Sequence, residues 1–145
     1  MTFRLWALLF AAVLSAPAQA TIISGSLAFT ATPFMEPGAP VDPVTGMVTF
    51  SFDNAASFAN VTTGFSVTGL NIPGTLGPGM TYFKSDDILV IGDLLNGAAS
   101  VTGGSNDWYL EIDHISKSLT SYNYVVVYLD SGVGEQNFYL QFARA

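Results

Sequence analysis

The sequence contains no cysteine. That removes disulfide cross-links, thiolate metal sites and thiol nucleophiles together, so a folded domain must be held by packing alone. Basic residues are also scarce: four Lys and Arg stand against eleven Asp and Glu, for a net charge of −7. Arg4 lies in the N-terminal stretch, which leaves Lys84, Lys117 and Arg144 for the rest of the chain. So acidic a surface repels phosphate backbones and offers no basic patch to neutralise them, which excludes nucleic acid as a partner. Thr, Ser, Asn and Gly supply much of the polar surface instead.

Long apolar runs are missing too, apart from one at the N-terminus. Arg4 is followed by an apolar run from Leu5 to Leu14 and then by Ser15-Ala16-Pro17-Ala18-Gln19-Ala20, with small residues at the two positions a signal peptidase reads. A bilayer-spanning helix needs about 20 apolar residues, and this run is about half that before Pro17. The stretch therefore predicts a secretory signal peptide over residues 1–20, cleaved after Ala20. Thr21 rather than Cys follows the cut, so no lipid anchor is expected. Residues 21–145 suit one domain, long enough to bury a core unaided and with no expected membrane span. The expected location is extracellular or cell-surface, with the periplasm as the other compartment open to it.

What the chain does contain is period-two alternation between turn signals. In residues 42–54 a turn leads into a strand with Val48, Phe50 and Phe52 on one face and Met47, Thr49, Ser51 and Asp53 on the other. Residues 22–32 alternate similarly, with Leu27, Phe29 and Ala31 facing one way. The prolines between 33 and 43 exclude helix and ladder pairing there and predict a surface loop. Residues 53–63 are expected as a short turn with Phe58 packing inward, and 65–71 as a strand. Strands are expected again at 80–85 and 88–95, the latter central because Ile88-Leu89-Val90-Ile91 is apolar on both faces. Asn96-Gly97 signals a tight turn, with Val101 open to a short return strand. Trp108, Leu110 and Ile112 share a face of the next strand, and two more follow at 122–130 and 138–142. About eight short strands and no convincing helix predict an all-β fold, an antiparallel β-sandwich of jelly-roll or immunoglobulin-like type. A closed barrel is the second architecture compatible with this pattern.

Four passages carry a family likeness: Gly25-Ser26-Leu27-Ala28-Phe29-Thr30-Ala31; Gly38-Ala39-Pro40-Val41-Asp42-Pro43-Val44-Thr45-Gly46 leading into Val48-Thr49-Phe50-Ser51-Phe52-Asp53; Leu89-Val90-Ile91-Gly92; and Ser105-Asn106-Asp107-Trp108-Tyr109-Leu110. In these the chain resembles exported bacterial proteins of the PEP-CTERM class, which an exosortase sorts. Such proteins end in a Val-Pro-Glu-Pro-like motif, an apolar helix and a basic cluster, whereas this sequence ends at Phe142-Ala143-Arg144-Ala145. The resemblance therefore implies a soluble relative without the sorting tail, or a truncated one, with a role in the matrix or at the cell surface.

Candidate chemistry is thin. His114, the single histidine, sits in Glu111-Ile112-Asp113-His114 without a second His or a Gly-x-Ser-x-Gly elbow to place a nucleophile, and is expected to be a surface turn residue. Asp86, Asp87, Asp107, Glu111, Asp113 and Asp130 fall at strand ends, where oxygens can gather around calcium, but the Asp-x-Asp-x-Asp-Gly loop is missing and such residues commonly end strands. No metal, cofactor or catalytic residue is assigned. The Asn60-Val61-Thr62 sequon is given no role. Sugars stack on exposed aromatic planes, and Trp108 with Tyr109 is the candidate pair; Tyr122, Tyr124, Tyr128 and Tyr139 are expected mostly in the core or in cross-strand pairs. The expectation is a secreted, non-enzymatic β-sandwich of the matrix or cell surface, and alternatively a carbohydrate-binding module recognising exopolysaccharide. Its partners would be extracellular polysaccharide or matrix proteins.

Overall fold

A computed structural model describes residues 20–32, 41–72, 77–95, 97–101 and 107–116, together with the backbone of 123–129, 137–139 and 143–144. Among these residues there is no helix, and ten strands form two antiparallel sheets. No helix among them is long and apolar enough to cross a membrane.

The smaller sheet is built on the two strands with the clearest alternation. β1 (Ile22–Ala31) pairs with β2 (Val44–Asp53) along its whole length, from Ile22 opposite Asp53 to Ala31 opposite Val44. β4 (Phe65–Thr68) pairs with the other side of β2, placing Val67 against Val48 and Phe65 against Phe50. Leu27, Phe29, Ala31, Val48, Phe50 and Phe52 are buried, while Ser24, Ser26, Ser51 and Ser66 are exposed. The outer face is thus a small-polar one, with hydroxyl pairs linking Ser24 to Ser51 and Thr49 to Ser66, both at 2.8 Å.

The larger sheet contains β3 (Phe58–Val61), β5 (Pro78–Phe83), β6 (Ile88–Asp93), β7 (Asp107–Asp113), β8 (Asn123–Leu129), β9 (Asn137–Tyr139) and β10 (Ala143–Arg144). Its order is β10-β8-β7-β6-β5-β3, with β9 also on β8, so β5 to β8 run as a meander. β6 has a partner on each side, and Leu89, Val90 and Ile91 are all buried, which explains why this segment is apolar on both faces. Met80, Tyr82, Leu89, Ile91, Trp108, Leu110 and Ile112 join the buried residues of the smaller sheet in one core. The sheets meet where Phe52 of β2 packs on Tyr82 of β5 at 4.8 Å and Phe58 of β3 at 5.5 Å between ring centroids. At another margin β1 comes up against β10. The arrangement is sandwich-like.

Three local features differ from the sequence expectation. Residues 58–61 form β3 rather than a continued turn, because Phe58 pairs with Tyr82 and Val61 with Met80 around a bulge. Asn60 sits in the bulge at φ 55°, which breaks the period that would have marked a strand. Pro78 opens β5 instead of closing the preceding loop, a position where its missing N–H is tolerated. Val101 belongs to no strand. In the expected final strand 138–142, the described part is β9, and β10 follows it; residues 140–142 lie outside the described residues, as do 33–40 of the proline-rich loop and Asn96 of the expected turn.

The register makes a direct prediction. Truncating buried Phe50 to Ala costs about 3–5 kcal/mol, a large part of the roughly 5–15 that holds a small domain together. Thr49, on the other face, should cost about 1 or less. Urea melts should therefore show Phe50→Ala unfolded or nearly so and Thr49→Ala close to the parent. The reverse order would mean that β2 is shifted by one residue, which exchanges its faces.

Candidate functional site

Adjacent residues of a strand face opposite ways, so Trp108 and Tyr109 cannot share one platform. Trp108 is only 1% exposed and packs in the core, whereas Tyr109 is half-buried on the other face of β7. A ring sealed from water presents no plane to a sugar, which is a correction to the expected stacking pair. The signal was in the sequence, since Trp108 shares its face with Leu110 and Ile112. The Trp108 Nε1–H is itself buried without an acceptor. Tyr122 and Asp130 lie outside the described residues.

The histidine and the acidic turns make local contacts at the strand ends. His114 is an exposed turn residue at φ 56°, and its Nδ1 lies 2.7 Å from Asp113 beside it. Asp87 fastens the β5–β6 turn to the turn after β7. Its carboxylate accepts hydrogen bonds from the Ser116 hydroxyl at 2.7 Å and the Ser116 N–H at 3.1 Å, and its backbone carbonyl accepts from Ile115 N–H at 3.1 Å. The Tyr82 hydroxyl also donates to it, at 3.4 Å. Burial raises the Tyr82 pKa, and the Asp87 charge adds to the rise. The Asp107 carboxylate accepts from Trp108 N–H at 2.9 Å. Among the described residues no three His, Cys, Asp or Glu side chains are grouped so as to hold a metal.

Among the described residues a shallow concavity lies on the outer face of the larger sheet, where sequence alternation gave no sign of it. It is a groove of about 220 Å³ between Ala59 and Asn60 of β3, Thr81 and Phe83 of β5, and the loop carrying Gly97, Ala99 and Ser100. Two glycines let that loop fold back over the sheet. Gly79 and Gly92 are register partners on β5 and β6, and Leu94 lies in the space above Gly79. A Cβ on Gly92 would stand 2.6 Å from the Ala98 carbonyl and 2.7 Å from that of Trp108, both backbone atoms that cannot swing aside. Only glycine fits at Gly92.

Asn60 fixes the groove wall. Its Oδ1 accepts from Ala98 N–H at 2.9 Å, its N–H donates to Thr81 Oγ1 at 3.1 Å, and the Thr81 hydroxyl reaches back to Oδ1 at 3.5 Å. The left-handed backbone of Asn60 aims the carboxamide across the bulge, and Asn is among the few side chains that tolerate it. Oδ1 is committed to Ala98, and Asn60 and Ser100 both line the groove. Phe83 forms part of the lining and is 40% exposed. The groove lining carries no charge. Lys84, next along the chain, donates its ammonium to the Ala55 carbonyl.

The chain matches no protein-family model, no curated protein and no solved structure.

Glu111 also stands on this outer face, between Val90 and Val125 in the register. Desolvation raises its pKa, and the Asp113 charge adds to the rise. The folded state therefore holds the proton more tightly than the unfolded chain. The stability gained is complete below the ordinary value of 4.5 and is lost as pH climbs through the raised one. Glu111→Gln keeps a neutral side chain at every pH. The melting temperature of the parent should consequently fall relative to the variant as pH rises from about 4 to about 7. A constant difference across that range contradicts the assignment.

Proposed function

We propose that this chain is an exported, non-enzymatic β-sandwich protein acting in the extracellular matrix or at the cell surface. The observation that carries the reading is the N-terminal stretch: Arg4, an apolar run too short to span a bilayer, and Ala18-Gln19-Ala20 before Thr21. Thr21 is itself tied into the fold. Thr21 N–H donates to Asn54 Oδ1 at 3.1 Å and its carbonyl accepts from Asn54 N–H at 3.2 Å, with β1 beginning one residue later. The resemblance to exported PEP-CTERM proteins supports the same compartment. The non-enzymatic part rests on a sequence with no cysteine, one histidine and no nucleophile elbow.

Within the two-sheet class we read the sandwich as jelly-roll or immunoglobulin-like. Support comes from the way β2, β3, β4 and β5 alternate between the sheets, since such crossings characterise Greek-key connections. A second reading, a module that recognises exopolysaccharide, is favoured by the uncharged groove with an exposed Phe83.

Fractionation with N-terminal sequencing tests export. The protein should be recovered outside the cytoplasm, beginning at Thr21. Recovery from the cytoplasm, or retention of residues before Thr21, would overturn the proposal.

A further inference from the structure

We propose that the groove between β3, β5 and the 97–100 loop binds one ring of a neutral saccharide, with Phe83 as the stacking plane. This deepens the polysaccharide reading above and moves its contact from Trp108, which the core encloses, to the opposite face of the larger sheet. Five observations favour this occupant over others. Phe83 lines the groove and is 40% exposed, and the C–H face of a pyranose packs on an exposed aromatic ring while its rim of hydroxyls stays free to bond. Its polar lining includes Asn60, whose Nδ2 can donate, and Ser100, whose hydroxyl can both donate and accept. An apolar side chain in the same place would cover both without satisfying either, which disfavours a hydrophobic peptide.

Charge narrows the chemistry further. No lining residue is charged and the whole chain carries −7, so an anionic sugar would find no cation here and would be repelled at longer range. A cationic ligand would find no carboxylate in the lining. A neutral ring matches. Size points to a single ring, because about 220 Å³ lies below the roughly 300–1,000 Å³ typical of pockets that enclose larger organic ligands. The wall is also set in advance: Asn60 is held by Thr81 and Ala98 before any ligand arrives, so less side-chain freedom is lost on binding.

The test is retention of the processed chain on immobilised neutral polysaccharides (cellulose, curdlan, dextran and galactomannan), with alginate as the anionic polymer. Four proteins are compared: the parent, Phe83→Ala, Phe83→Tyr, and Met47→Ala on the outer face of the smaller sheet. Circular dichroism and urea midpoints are measured for each. The parent should bind at least one neutral polymer. Phe83→Ala should weaken that binding by about tenfold with its fold intact, Phe83→Tyr should restore it, and Met47→Ala should leave it unchanged. The proposal is overturned if no neutral polymer retains the parent, if alginate alone does, or if Phe83→Ala binds like the parent. A protein that is exported and processed but binds no polymer sinks the groove and leaves the export reading standing. A cytoplasmic protein that binds through Phe83 does the opposite.

Discussion

Phe52 sits against both Tyr82 and Phe58, and in that contact the three-stranded sheet is joined to the seven-stranded one. Without cysteine no disulfide can cross-link the sheets, so their stacking depends on apolar side chains that point inward from their strands. Each large side chain so buried contributes about 1.5–3 kcal/mol, against a net stability of roughly 5–15. The register of β2 is therefore the main constraint on the fold. It fixes Val48, Phe50 and Phe52 toward β5, β6 and β7, and β1 and β4 take their own facing from it through the ladder.

Among the described residues, the outer faces of the two sheets are open to other molecules. The two outer faces differ. That of the smaller sheet carries Ser and Thr whose hydroxyls pair with one another across the strands, beside the exposed Ile22 and Met47. That of the larger sheet is interrupted, because Gly79 and Gly92 let a loop descend onto it and Asn60 ties the loop to the edge strand. The groove follows from these departures from regular strand chemistry: two missing side chains, one bulge and one left-handed Asn. They weaken the strands locally and are retained where the backbone must approach closely.

How much of this the sequence disclosed depended on the kind of signal. Strands with one buried face were legible, β1, β2 and β7 down to the side chains that point inward, because alternation at period two is the physical record of one wet and one dry side. β6 was legible by the opposite sign, apolar on both faces because it is central. β3 was not, since its four residues contain a bulge and its pairing comes from Phe58 meeting Tyr82, distant in sequence. The candidate site was less legible than the fold. Aromatic residues flagged Trp108, but alternation alone assigned it to the core, and that signal wins over residue type. The groove depends on a loop crossing a sheet at two glycines, a tertiary event with no local period.

Trp108 offers the most direct test of the buried two-sheet core. Trp6 lies in the expected leader, so once residues 1–20 are removed Trp108 is the one tryptophan left to emit. The structure encloses its ring and leaves its Nε1–H without an acceptor. Its fluorescence in the native protein should therefore be strongly blue-shifted and insensitive to iodide and acrylamide, and it should move to the emission of free tryptophan in the same urea transition that removes the β-sheet circular dichroism. Native emission already at the solvent-exposed wavelength and freely quenched by iodide would contradict the account, because it would place Trp108 outside the core and exchange the faces of β7.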